Sequence, residues 1–164
     1  MMKKILCILS CALGLLISSN SCQDHLVVLF DTPFFAITDI DGTLSEMDIN
    51  KDANGLVSEL KVRFVVSNHY YQEPVTLNYD LICGDGITEG VDFAVQPSTA
   101  SPLTFNPADG YERIIRIVFY KNPAFDASKD NTLRVRLSGS SLKNAIMGYP
   151  GPDHLKSEFI FTKK

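Results

Sequence analysis

Hydrophobic and polar positions alternate along most of the chain beyond residue 55, and this alternation sets the fold expectation. Leu60, Val62, Phe64 and Val66 share one side of an extended segment, and Glu59, Lys61 and Arg63 share the other. A period of two with one charged side marks a strand that is buried on a single face. Val75, Leu77, Tyr79 and Leu81 alternate in the same way with Thr76, Asn78 and Asp80. Ile115, Ile117 and Phe119 alternate around Arg116, and Leu133, Val135 and Leu137 alternate with Thr132, Arg134, Arg136 and Ser138. Shorter apolar runs fall at residues 26–30 and 34–37, split by Asp31-Thr32-Pro33, and at residues 103–105 and 158–162. Pro107 has no amide hydrogen to give to a ladder, so it closes the run at 103–105. Turn signals separate these runs: Asn54-Gly55 at the end of a polar stretch from Leu44, a break over 68–74, and a glycine-rich turn over 84–90. No long window carries the 3.6-residue period of a helix. Residues 141–147, stopped by Gly148, have room for a turn or two of helix at most. Short strands with one wet face each predict an all-β fold, two antiparallel sheets packed as a sandwich of about seven to eight strands.

The first residues follow a different plan. Met1-Met2-Lys3-Lys4 precedes an apolar run from Ile5 to Ile17, then Ser18-Ser19-Asn20-Ser21 and Cys22. A basic start, an apolar middle and a small-residue exit make a secretory signal. The apolar run is shorter than the about 20 residues that cross a bilayer as a helix, which favours a cleaved signal over a spanning anchor. Ser19-Asn20-Ser21-Cys22 resembles a bacterial lipobox, most closely the relaxed form of the Bacteroidetes. The resemblance implies that residues 1–21 are a lipoprotein signal peptide and that Cys22 is acylated and tethers the chain to the bilayer. Residues 22–25 then form the lipidated tether and residues 26–164 a single domain.

Charge and cysteine usage narrow the function classes. The chain carries a formal net charge of −4, and loss of Lys3 and Lys4 with the signal makes it more acidic. Nucleic-acid binding needs basic patches to neutralise phosphates, so no nucleic-acid partner is expected. Electrostatic docking on anionic lipid is disfavoured for the same reason, which leaves the acyl chains as the membrane link. Of the four cysteines, Cys7 and Cys11 leave with the signal and Cys22 takes lipid. Cys83 is then without a disulfide partner and is expected to be a small buried hydrophobe.

From Val75 onward the order of motifs resembles a Calx-beta domain, an immunoglobulin-like β-sandwich. Val75-Thr76-Leu77-Asn78-Tyr79 is similar to that family's strand ending in Tyr, and Thr88-Glu89-Gly90-Val91-Asp92-Phe93 to its Gly-containing loop. Leu103-Thr104-Phe105-Asn106-Pro107, with Gly110 displaced, resembles its Leu-Thr-Phe-x-Pro-Gly turn. Residues 115–119 and 133–138 fit its last long strands. The chain also resembles Bacteroidetes lipoproteins of uncharacterised family that carry Calx-beta-like domains. Calcium-binding members place an acidic cluster after the strand equivalent to residues 115–120, because Ca²⁺ takes six to eight oxygen ligands. Here that stretch holds Asp126 and Asp130, separated and flanked by Lys121 and Lys129. No calcium, and no other cofactor, is expected.

One motif points elsewhere. Phe35-Ala36-Ile37-Thr38-Asp39-Ile40-Asp41-Gly42-Thr43-Leu44 resembles the first motif of haloacid dehalogenase-type phosphatases. In that family the first Asp attacks phosphorus, the second is the acid/base, and both hold Mg²⁺ at the end of a parallel strand. Such chemistry needs a doubly wound α/β sheet. Residues 45–83 instead contain two strands and no helical period, so Asp39-Ile40-Asp41-Gly42 is expected to be a turn.

Other chemistry is sparse. His25, His69 and His154 lack metal-ligand spacing, and no Gly-x-Ser-x-Gly elbow occurs. His69, Tyr70 and Tyr71 lie between strands, and Tyr149 opens the rigid loop Tyr149-Pro150-Gly151-Pro152-Asp153-His154. Exposed tyrosines stack on sugars or anchor partners, so these four residues are the candidate contacts. The chain therefore reads as a lipid-anchored, non-catalytic module of the bacterial cell envelope, placed at the outer membrane, that binds a glycan or a partner protein. The alternatives are a structural component of an envelope protein assembly and a Mg²⁺-dependent phosphatase using Asp39 and Asp41. A glycan binder should show an exposed aromatic platform, and a protein-assembly component an apolar patch or an open sheet edge.

Overall fold

The computed structural model describes residues 32–66 and 73–164. They form ten strands: β1 Phe34–Asp39, β2 Glu46–Ile49, β3 Leu56–Val65, β4 Val75–Cys83, β5 Phe93–Val95, β6 Leu103–Phe105, β7 Glu112–Phe119, β8 Thr132–Ser140, β9 Ile146–Met147 and β10 Glu158–Lys163. The strands make two five-stranded sheets, one ordered β5-β7-β3-β1-β9 and the other β2-β10-β8-β4-β6. The chain is thus the expected all-β sandwich. Its strand order is that of the immunoglobulin fold, with β1, β3, β7 and β5 in the places of A, B, E and D and β4, β8 and β10 in those of C, F and G.

The sheets hold more strands than the alternation announces, and two of the pairings are parallel. β2 runs parallel to β10, and β9 parallel to β1. β2 lies inside the stretch that reads as polar from the sequence. Its four residues carry too few alternating positions to stand out from a loop. Residues 141–147 form no helix; the segment bends and ends in the two residues of β9. The strands at the four sheet edges, β5, β9, β2 and β6, are all short, which limits the backbone they offer to stray pairing.

The period-two faces meet in the middle. Leu60, Val62 and Phe64 of β3 face Leu133, Val135 and Leu137 of β8 across one core, into which Phe159 and Phe161 also project. Aromatic rings tie the layers together: Phe35 stacks on Phe64 at 4.7 Å and meets Phe105 of the opposite sheet at 5.4 Å. Phe119 and Phe161 make a second cross-sheet contact at 5.1 Å. Cys83 departs from expectation. It continues the inward row of Val75, Leu77 and Tyr79 and stands opposite the buried Leu133 of β8, but β6 flanks β4 only over residues 75–77, and Cys83 is exposed.

Candidate functional site

The turn after β1 carries the chain from one sheet to the other. β1 lies in the first sheet and β2 at the edge of the second, so the chain must cross between layers over residues 40–45. Asp39 directs the crossing. Its Oδ1 accepts the amides of Thr43 and Leu44, both at 2.7 Å. Gly42, at φ +83°, takes the left-handed conformation that a side chain would resist. Burial pushes the Asp39 carboxyl up, but amide hydrogen bonds from Leu44, Thr43 and Asp41 and the Thr43 hydroxyl outweigh it and hold the group below its ordinary value. Lys156, itself at φ +63°, fastens the same turn: its Nζ donates to the Thr43 carbonyl at 2.7 Å, and its carbonyl accepts the Ile37 amide at 2.9 Å.

The motif that resembles a phosphatase nucleophile is therefore a sheet-switching turn. Asp39 spends its carboxylate on the turn's own amides, and the ammonium of Lys156 is engaged by a carbonyl. Among the described residues no helix-flanked parallel sheet is formed, so the scaffold on which that chemistry depends is not this one.

The crossing leaves a gap. β1 pairs with β3 only from Leu60 to Val65, whereas β7 pairs with β3 from Leu56 to Arg63. Residues 56–59 thus have a ladder on one side and, among the described residues, no strand on the other. A groove of about 570 Å³ occupies the vacant lane. One wall consists of the consecutive residues Leu56, Val57, Ser58 and Glu59, and the facing wall of Met47, Asp48 and Ile49. Consecutive strand residues point to opposite faces, so a groove that touches all of them runs along the strand edge. Ile40, Leu44, Leu56 and Val57 lie 41–47% exposed along it. Four of the large apolar side chains on the described surface are thus gathered in one place, with the carboxylates of Asp39, Asp41, Asp48 and Glu59 around them. Two of these are paired from outside the groove, Asp48 with Lys164 at 2.7 Å and Glu59 with Arg116 at 2.6 Å.

The candidate contacts named from the sequence fare differently. Cys22, His69, Tyr70 and Tyr71 lie outside the described residues, as do residues 1–21 and the apolar run at 26–30. Tyr149 is exposed, and its ring stands edge-on to Phe34 at 5.6 Å. It opens a tight loop closed by the Tyr149 amide on the Leu155 carbonyl at 2.6 Å, remote in sequence from the groove residues. Partial desolvation and the negative charges of Glu89 and Asp92 push the Cys83 thiol up, which disfavours the thiolate. Asp126, Asp130 and Asp85 each accept a backbone amide, from Ser128, Thr132 and Asp130 in turn. Sequence reading missed Leu56 and Val57. The available signal was two adjacent apolar residues opening a strand, where strict alternation would have put one polar.

Comparison with protein-family models and with curated proteins gives no match to this chain.

Proposed function

We propose that this chain is a lipid-anchored, non-catalytic interaction module of the bacterial cell envelope, at the outer membrane, whose ligand is a protein. The observation that carries the reading is the groove beside residues 56–59, where an open strand edge and a cluster of exposed apolar side chains coincide. Open edges and apolar patches are the features by which proteins recognise extended segments of other proteins. A glycan binder would instead rely on flat aromatic surfaces, and Tyr149 is the aromatic side chain that stands exposed among the described residues. The anchor rests on the order of regions before Cys22 and on the lipobox resemblance. The resemblance to Calx-beta-like lipoproteins, and the strand order of the sandwich, agree with a module that binds rather than reacts.

The test combines address and contact. In cells fed a fatty-acid analogue, the full chain should enter the membrane fraction and take the label, and Cys22→Ala should do neither. A photo-reactive residue placed at Val57 should give a cross-linked species of discrete mass that contains protein. A chain that cross-links to polysaccharide alone would replace the protein ligand by a glycan, and an unlabelled soluble wild type would remove the anchor.

A further inference from the structure

We infer that residues 56–59 accept an extended segment of a partner protein as an added strand, in the lane that β1 vacates, and that this segment alternates apolar with cationic side chains. The inference rests on the protein-binding reading and gives it a mode and a chemistry.

The backbone is set for it. The Phe64 amide donates to the Tyr111 carbonyl on the β7 side at 2.8 Å. Successive residues of a strand direct their backbone groups to opposite neighbours, so the even positions of β3 serve β7 and the odd positions serve the β1 side. In the paired half, Val65, Arg63 and Lys61 stand opposite Phe34, Ala36 and Thr38 of β1. Val57 and Glu59 continue the same row beyond Asp39, where β1 has turned away. Their N–H and C=O groups therefore face the groove, at the spacing that an incoming strand would match.

The side chains select the occupant. On the inward face Leu56 is exposed and lines the groove together with Met47, and an apolar side chain would fill that space. Val57 and Glu59 project from the outer face, and Asp41 lies at the rim. Four acidic residues, Asp39, Asp41, Asp48 and Glu59, line the groove and, among the described residues, no lysine or arginine does. Arg116 and Lys164 offset Glu59 and Asp48, and Asp39 is buried and held by the Thr43 and Leu44 amides, which leaves Asp41 as the one of the four without an ion-pair or turn-amide partner among the described residues. Complementary charge at such a rim fixes register and excludes wrong partners more than it adds affinity. A second copy of this chain fits poorly, because its net charge is −4 and pairing would bring two acidic rims together.

The test uses the full chain, isotope-labelled, in detergent micelles. The probe is a blocked peptide about six residues long that alternates valine and lysine, and its counterpart has glutamate for lysine. The lysine peptide should slow amide exchange at Val57 and Glu59 about tenfold or more and lose affinity as salt rises, and the glutamate peptide should do neither. Val57→Pro removes an amide that points into the groove while leaving the β7 ladder intact, and should weaken the lysine peptide about tenfold. Asp41→Lys leaves every backbone group in place and should shift preference from the lysine to the glutamate peptide. No protection at Val57 and Glu59, or equal protection by both peptides, would overturn the inference. Protection that grows with protein concentration in the absence of peptide would overturn it in favour of a second copy. A photo-cross-link to protein from Tyr149 but not from Val57 would refute this site and keep the protein-binding reading, whereas cross-linking to no protein from either position would remove that reading itself.

Discussion

Lys163 and Asp92 form an ion pair inside the protein, Nζ to Oδ1 at 2.7 Å, with each side chain 1% exposed. Asp92 precedes β5 in one sheet and Lys163 ends β10 in the other, so the pair straps the two layers together at one end of the sandwich. Neither charge depends on the other alone. Lys163 also donates to the Tyr120 carbonyl at 2.8 Å, and Asp92 Oδ2 accepts the Thr88 amide at 3.0 Å.

Removing one partner of such a pair leaves an uncompensated buried charge. Lys163→Met is expected to destabilise the protein by about 3–5 kcal/mol, while Lys163→Met combined with Asp92→Leu recovers a large part of that loss. Denaturant melts of both single variants and the double variant measure the coupling. Equal losses that simply add would show that the two side chains do not stabilise the sandwich as a pair.

The same contacts contribute, beside those of Asp39, to the loss of stability in acid. Burial pushes the Asp92 carboxyl up, but hydrogen bonds from Lys163, the Thr88 amide and Asn122, with the Lys163 charge, bring it below the usual 3.8. A folded value below the unfolded one means that the contribution is fully present above pH 3.8 and is lost as pH falls through the folded value. The melting temperature should therefore hold from neutrality to about pH 5 and fall steeply below about pH 4, and Asp92→Asn should flatten that fall. At the alkaline end Tyr79 acts with the opposite sign. Burial pushes its hydroxyl up to about 12, and the hydroxyl donates to the Thr99 carbonyl at 2.8 Å. Its contribution is intact below pH 10 and disappears as pH rises toward 12, so Tyr79→Phe should reduce the alkaline loss. A thermal-melt series across pH checks both limbs.

How much of this was legible in the sequence follows from the range of each interaction. Strands such as β3, β4, β7 and β8 announce themselves because alternation is local and they are long enough to show it. β2 and β9 do not, because four residues and two residues carry little period. Asp92 and Lys163 are 71 positions apart, and no local pattern links them. The groove is hidden for another reason: it exists because β1 leaves its sheet early, and the length over which two strands stay paired is set by the turn between them. Asp39 and Gly42 were readable as a turn, but not as the turn that uncovers Val57. Cys83 was misplaced because alternation says which way a residue points and not what covers it.

Phe64 and Asp39 separate the packing role of a residue from the steering role. Phe64 is buried and sits against Phe35, Phe105 and Tyr111. Phe64→Ala should leave a cavity and cost about 3–5 kcal/mol. Asp39→Ala removes the acceptor for two turn amides and should cost no more than about 2 kcal/mol, the scale of a lost cap. Asp39→Asn retains one acceptor oxygen and should cost less than Asp39→Ala. If the phosphatase resemblance carried chemistry, Mg²⁺-dependent release from an aryl phosphate would vanish in Asp39→Asn; none is expected from the wild type. Equal melting temperatures for Phe64→Ala and the wild type would contradict the packing described for the central strand.

Two glycines should respond in opposite ways to the same substitution. Gly84, just after β4, packs directly against the backbone of Asp130, and a Cβ there would collide with the Asp130 carbonyl. The contact is backbone to backbone, because the Gly84 amide donates to the Thr132 carbonyl at 2.8 Å, and so it cannot be relieved by a rotamer change. Gly84→Ala must then push apart the start of β8 and the end of β4, a form of overpacking that costs about 1–3 kcal/mol. Gly139, inside β8, has open space where its Cβ would stand and no left-handed backbone angle to preserve. Gly139→Ala reduces the freedom of the unfolded chain and strains nothing in the folded one, so it should stabilise by about 0.4–1 kcal/mol. The pair of variants, melted side by side, tests the contact between the β4 end and the residue 130 loop independently of every charged group. A Gly84→Ala variant that melts no lower than the wild type would mean that this end of the sandwich is not packed as described.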